Sequence, residues 1–131
     1  MRIGSIAETL LERLALGLGL IPTPLLDTSA GTVLANTLIA ATQLGIFEAL
    51  AAGGRDARDV AAACGTSAVA TERLLRALVG AGYLRQRGPS YRLAPVSRKW
   101  LLAASRLSLR DAILFAAVEA RWMDQLDEFI R

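Results

Sequence analysis

Between Val33 and Ala52 the chain reads VLANTLIAATQLGIFEALAA and carries a single charged residue, Glu48. Apolar side chains recur there at helical spacing on more than one face: Leu34, Leu38 and Ala41, then Ile39, Ile46, Phe47 and Leu50. A helix that is apolar most of the way round is buried on several sides. The core of one small domain can cover only part of it. The run therefore predicts one helix over 33–52 whose spare faces are covered by something else, most simply a second copy of the chain. Leu34, Leu38, Ile39, Ile46 and Phe47 are the residues expected at that dimer interface.

The length of 131 residues suits one compact domain with an appended arm. Alanine and leucine dominate and β-branched runs are scarce, which favours helices. The lone cysteine, Cys64, excludes an internal disulfide and a cysteine-based metal cluster. The absence of histidine removes the commonest general base and metal ligand, and with them a Ser-His-Asp triad. Glu8, Glu12 and Arg13 interrupt the place where the apolar core of a signal peptide would sit. The uncharged stretch from Thr28 to Phe47 has about the length of a membrane span. Its Asn36, Thr37, Thr42 and Gln43, and a loop-like Thr28 to Gly31, argue instead for a buried helix, with the cytoplasm as the default location.

Along the chain, Ile3, Ile6, Leu10, Leu11, Leu14 and Leu18 form the stripe of an amphipathic helix over 3–18. Pro22 and Pro24 end any helix there and force an extended turn. After the helix of 33–52, Gly53-Gly54 is a stop signal. Asp56 caps a short helix that places Val60, Ala61 and Cys64 inward and breaks at Gly65. Thr66 or Ser67 opens the next helix, 68–81, with Thr71, Leu74, Leu75, Leu78 and Val79 on its apolar stripe. Period two follows over Tyr83 to Arg87 and Tyr91 to Leu93, a hairpin about a turn of Gly88-Pro89-Ser90. Pro95 starts a short helix, 95–103. Ser108 and Asp111 read as a capping box that opens a last helix, 109–130, with more apolar surface than a small core can use. Helix, short helix, helix, hairpin is the order of a winged helix.

The candidate chemistry is thin. Basic residues cluster between Thr71 and Lys99, seven against the single acid Glu72, while the remainder of the chain is net acidic. On a winged helix, Arg73, Arg76, Arg85 and Arg87 are where DNA would be touched. The helix over 68–81 lacks the Asn and Gln side chains that read base edges. A dimeric DNA-binding regulator is thus the alternative reading, and neither nucleic acid nor membrane is the expected partner. The acidic groups (Glu8 with Glu12, and Asp124 with Asp127 and Glu128) read as solvated helix faces. No glycine group follows a strand to cradle phosphate.

The run LIAATQLGIFEALAAGGRDARDVAAACGTSAVATERLLRALVGAGYLRQRGPSYRLAPVSRKWL resembles the N-terminal dimerisation domain of S-adenosylmethionine-dependent O-methyltransferases of natural-product tailoring. The pieces that carry the resemblance are LGIFEAL (44–50), DVAAACGTS (59–67), ERLLRALVGAGYL (72–84) and YRLAP (91–95). The PTPLLDTSAG arm (22–31) and Trp122 with Leu126 add to it. Ala94 departs from the pattern, where a threonine able to cap the next helix is frequent.

The resemblance implies a mainly α fold: a winged helix-turn-helix with a small β-hairpin, plus N- and C-terminal helices that form an intertwined homodimer. Residues 1–31 would be an N-terminal helix and proline-containing arm, and 32–103 the winged-helix dimerisation domain. Residues 104–131 would be the helix leading towards a methyltransferase domain absent from these residues. It further implies that the chain is non-catalytic alone and that S-adenosylmethionine belongs to the absent domain, so no catalytic, cofactor or metal residue is carried over. Phe115, Trp122 and Met123 are candidate lining of an acceptor-substrate pocket. A separate methyltransferase catalytic chain is a further partner that the resemblance allows.

Overall fold

The computed structural model describes Leu11, Leu14 and residues 23–123 and 125–131. Leu11 and Leu14 are helical and exposed, and the rest of the helix predicted over 3–18 lies outside the described residues. The chain divides into two compact units, Met1–Ala35 and Asn36–Arg131. The described residues are mainly helical, with one two-stranded sheet.

The first long helix, α1, is Thr23–Gln43, so it begins ten residues before Val33 and stops nine before Ala52. Two expectations fail here for physical reasons. Pro24 does not break the helix because it sits in the first turn, where its missing N–H has no helical partner to lose. Thr28 to Gly31 is helical, not loop. At the far end the apolar pattern continues, but the backbone does not. Gly45 takes φ 74, ψ 20, a left-handed conformation open to glycine at little cost, and the chain restarts as α2, Ile46–Ala49.

The next helix, α3, is Ala57–Cys64. Its start and stop are those expected: the Asp56 carboxylate accepts the Asp59 N–H at 2.8 Å, and Gly65 caps the end at φ 65. Helix α4, Ala68–Gly80, begins at Ser67, whose side chain makes no cap bond. Thr66 instead pairs its hydroxyl with that of buried Thr71 at 2.7 Å. Helix α4 ends in a Schellman pattern, with Gly82 N–H on the Val79 carbonyl and Tyr83 N–H on Leu78.

Strands β1, Leu84–Arg87, and β2, Ser90–Leu93, pair antiparallel with Leu84 opposite Leu93 and Arg87 opposite Ser90. The turn is therefore the two residues Gly88-Pro89, one shorter than the sequence suggested, and Gly88 supplies the positive φ of 58 that such a tight turn needs. Arg55 bridges to Tyr91 on the other edge of β2. At the base of the hairpin the Tyr83 carbonyl accepts from both Ala94 N–H (3.0 Å) and the buried Ser97 hydroxyl (2.5 Å).

Helix α5, Pro95–Trp100, is shorter than the predicted 95–103, and its N-cap Ala94 makes no side-chain cap, as the sequence suggested. The last predicted helix is two: α6, Arg110–Met123, and α7, Leu126–Ile130. Ser108 accepts the Arg110 N–H at 3.3 Å.

The core lies within Asn36–Arg131. Ala41, Ile46, Phe47, Leu50, Val60, Leu75, Leu78, Leu84, Tyr91, Leu93 and Leu101 are all buried. Two side chains tie its α2 edge to the segment around α5. The Glu48 carboxylate accepts the Ala103 N–H at 2.7 Å, and Arg98 donates to the Ala51 carbonyl at 3.3 Å.

Candidate functional site

The C-terminal helices present the surface that most needs explaining. Helix α6 buries none of its residues fully, and only Ile113 packs on the core edge. Phe115, Val118, Trp122 and Met123 are exposed on α6, and Leu126, Phe129 and Ile130 on α7. Soluble chains rarely leave this many large apolar side chains together without a partner. Phe115 and Trp122, two helical turns apart, meet edge to face with centroids 6.1 Å apart and planes at 84°.

Below that pair the break between α6 and α7 opens a groove of about 630 Å³, lined by Trp122, Met123, Gln125, Leu126, Glu128 and Phe129. Of the three expected pocket residues, Trp122 and Met123 line this groove, and Phe115 braces Trp122 from one side. Sequence reasoning missed the contribution of Leu126, Glu128 and Phe129. They lie on a second helix, α7, that the sequence reading had run together with α6.

The five expected interface residues separate. Ile46 and Phe47 are 0% and 1% exposed within one chain, so in this conformation they have no surface to offer a partner and belong to the core. Leu38 is half-buried and packs against that core. Ile39 is half-buried, and Leu34 is exposed. The reason for the change is the turn at Leu44-Gly45, which sends Ile46 and Phe47 off the helix on which the sequence placed them.

The four arginines of the alternative reading are all exposed. Arg76 is engaged at 2.7 Å by Glu72 one turn earlier, and Tyr91, then Glu72, hold its guanidinium further above the usual range. Cys64 packs against the core edge, and burial raises its thiol pKa, with Arg55 only partly opposing. Among the described residues, no three His, Cys, Asp or Glu side chains gather where a metal could be held. No described helix is long and apolar enough to cross a membrane.

A mainly helical unit with a short hairpin and a large uncovered apolar surface defines the class of an association module. Residues 26–104 match the family described as the O-methyltransferase dimerisation domain, and the chain belongs to that family. It is 36% identical over 99 residues to acetylserotonin O-methyltransferase of Mus musculus, covering 71% of this chain and 26% of that protein. It is 41% identical over 81 residues to 3-hydroxy-5-methyl-1-naphthoate 3-O-methyltransferase of Streptomyces sahachiroi, covering 62% of this chain and 24% of that protein. The crystal structure of human N-acetylserotonin methyltransferase in complex with SAM superposes with a TM-score of 0.76 at 28% identity, over 97% of this chain and 36% of that one. The chain thus spans about a quarter of the length of the curated relatives it matches.

Proposed function

We propose that this chain holds two subunits of an S-adenosylmethionine-dependent O-methyltransferase together as a homodimer and helps to wall the acceptor pocket. It contributes no group to the transfer step. The single observation that carries this reading is the apolar surface of α6 and α7, uncovered in one chain that belongs to a dimerisation-domain family. The element order α1 to β2 supports treating the middle of the chain as a winged helix used for assembly. The surface around Trp122 and Phe129 is apolar area available to a second subunit, and exposed Leu34 on α1 is, separately, another such side chain. The names of the relatives, an acetylserotonin and a naphthoate methyltransferase, support an aromatic hydroxyl compound as acceptor.

In this reading the groove between α6 and α7 gives the pocket a mainly apolar wall, with Glu128 among its lining. Apolar walls orient a flat acceptor and exclude water, which is the part that a non-catalytic domain can supply. Light scattering at micromolar concentration tests the assembly: a mass of two chains is expected, and a mass of one would overturn it. Isothermal titration with S-adenosylmethionine tests the division of labour. Stoichiometric tight binding to these residues alone would show that the donor site is here after all.

A further inference from the structure

Glu48 is the one charge in the apolar run of 33–52, and neither the core nor the association surface accounts for it. It is exposed and forms no ion pair among the described residues. Its carboxylate instead accepts the Ala103 N–H at 2.7 Å, 55 residues further on. An ionised acceptor makes a stronger hydrogen bond to a backbone donor than a neutral one does. The backbone that carries Glu48 is itself fixed, because Ile46 and Phe47 beside it on α2 are buried.

Ala103 lies in the segment 101–109, which joins α5 to α6. Leu101 is buried and Leu102 packs against the core, so the segment starts from an anchored point. Its two ends meet, since Leu109 N–H donates to the Trp100 carbonyl at 2.7 Å. Inside it, the Ser105 hydroxyl donates to the Lys99 carbonyl and accepts the Leu107 N–H at 3.3 Å, and Ser108 N–H donates to the Ser105 carbonyl at 3.1 Å. The segment is thus a closed, internally bonded turn, which the Glu48 carboxylate ties to α2. Helix α6 leaves from this turn with little else to direct it. None of its residues is fully buried, and only Ile113 packs on the core edge. A helix packed along its length takes its direction from that packing. One held at its root takes it from the root.

From this we propose that Glu48 is a positioning residue: by holding Ala103 it sets the direction in which α6 and α7 leave the core. The consequence rests on the assembly role proposed above, because these two helices carry both the uncovered apolar surface and the groove at Trp122. Helix α6 is about 21 Å long at 1.5 Å per residue, so a pivot of about 10° at its root carries its far end through about 4 Å. Binding surfaces work within about 0.5 Å and 10–20° of their productive geometry. One hydrogen bond at the root therefore governs whether a surface at the tip is presented correctly, although Glu48 belongs to neither the groove nor that surface.

The test is a distance measured by double electron–electron resonance between nitroxides on Arg73→Cys, exposed on α4, and Arg121→Cys, exposed near the end of α6, in the full chain with Cys64→Ala. Labelled chains are diluted into unlabelled ones, so that only distances within one chain are read. Glu48→Ala should shift or broaden the distribution by about 3 Å. Glu48→Gln, which keeps an acceptor oxygen, should restore the parent distribution. Asp56→Ala, which destabilises the core elsewhere by removing the cap of α3, should leave it unchanged. Sedimentation equilibrium on the unlabelled chain should show self-association at least about tenfold weaker in Glu48→Ala. Any of these results would overturn the proposal: an unmoved distribution in Glu48→Ala, the same change in Asp56→Ala, no rescue by Glu48→Gln, or a changed distance with an unchanged dimer Kd. A parent that is monomeric would refute the assembly role instead, and the distance would still decide the part played by Glu48.

Discussion

Phe47 and Phe129 are the same side chain placed in opposite situations, and truncating each to alanine separates the core from the association surface. Phe47 is 1% exposed and Phe129 is 89% exposed. Removing a buried phenylalanine costs about 3–5 kcal/mol, from lost transfer energy and the cavity left behind. Phe47→Ala should therefore remove a large part of a stability of roughly 5–15 kcal/mol, whatever the protein concentration. Phe129→Ala costs the isolated chain almost nothing, because the ring touches mostly water.

Its effect falls on association. A phenylalanine offers roughly 200 Å², and apolar burial is worth about 25 cal/mol per Å². If a partner covers half of what Phe129 exposes, the loss is about 2 kcal/mol per protomer. A symmetric dimer loses it twice, about 4 kcal/mol, or roughly 1000-fold in Kd. Sedimentation equilibrium reads the dissociation, and urea melts at two concentrations about a hundredfold apart read the chain. The expected result is a Phe47→Ala melt displaced at both concentrations, and a Phe129→Ala melt displaced only where the parent is dimeric. If Phe47→Ala instead dissociated the assembly and left the urea midpoint unmoved, the placement of Phe47 in the core would be wrong, and with it the division drawn between the two surfaces.

Gly45→Ala forces an alanine into a left-handed conformation and should lower stability by about 1–2 kcal/mol in a thermal melt, with Gly45→Asn milder. Asp56→Ala removes the side-chain cap of α3 and should cost about 1 kcal/mol by urea unfolding, while Asp56→Asn retains most of it. Glu48→Ala leaves the Ala103 N–H without its acceptor, and amide exchange at Ala103 should accelerate while exchange at Leu75 does not. Burial raises the Cys64 pKa above its unfolded value, so the stability tied to the neutral thiol is complete below the unfolded pKa. It is lost as pH rises from there through the folded value. Alkylation of Cys64 at mildly alkaline pH should accordingly be slower than that of free cysteine, and Cys64→Ala should lack that part of the alkaline decline in stability.

The short elements were legible in the sequence because each has a local cause. Asp56 followed by Asp59 caps a helix wherever it occurs, and Gly65 and Gly82 end helices by adopting a conformation that side chains resist. The hairpin was legible from its period, although not its turn length, which depends on whether Ser90 pairs across the ladder. The long helices were not legible at their ends. Pro24 carries the same sequence signal as breaker and as first-turn residue, and only the position of the helix distinguishes the two. At Gly45 the apolar pattern runs straight through the break, because the residues on both sides face the same core from different elements. That is why Ile46 and Phe47 read as spare helix surface. The groove by Trp122 was half legible: the aromatic spacing is local, but the division between α6 and α7 has no glycine or proline to announce it.

The hairpin is closed at its base by one carbonyl, that of Tyr83, which receives both Ala94 N–H and the Ser97 hydroxyl. Residues 84 to 93 thus form a loop whose ends are already joined to the body of the domain. Lengthening a loop that is already closed costs only a logarithmic increment in chain entropy, about 0.6 kcal/mol for a doubling. The Gly88-Pro89 tip can therefore gain residues at little cost in chain entropy. Evolution has in this hairpin a finger of adjustable reach, whose length can grow while the core and the α6–α7 surface stay as they are.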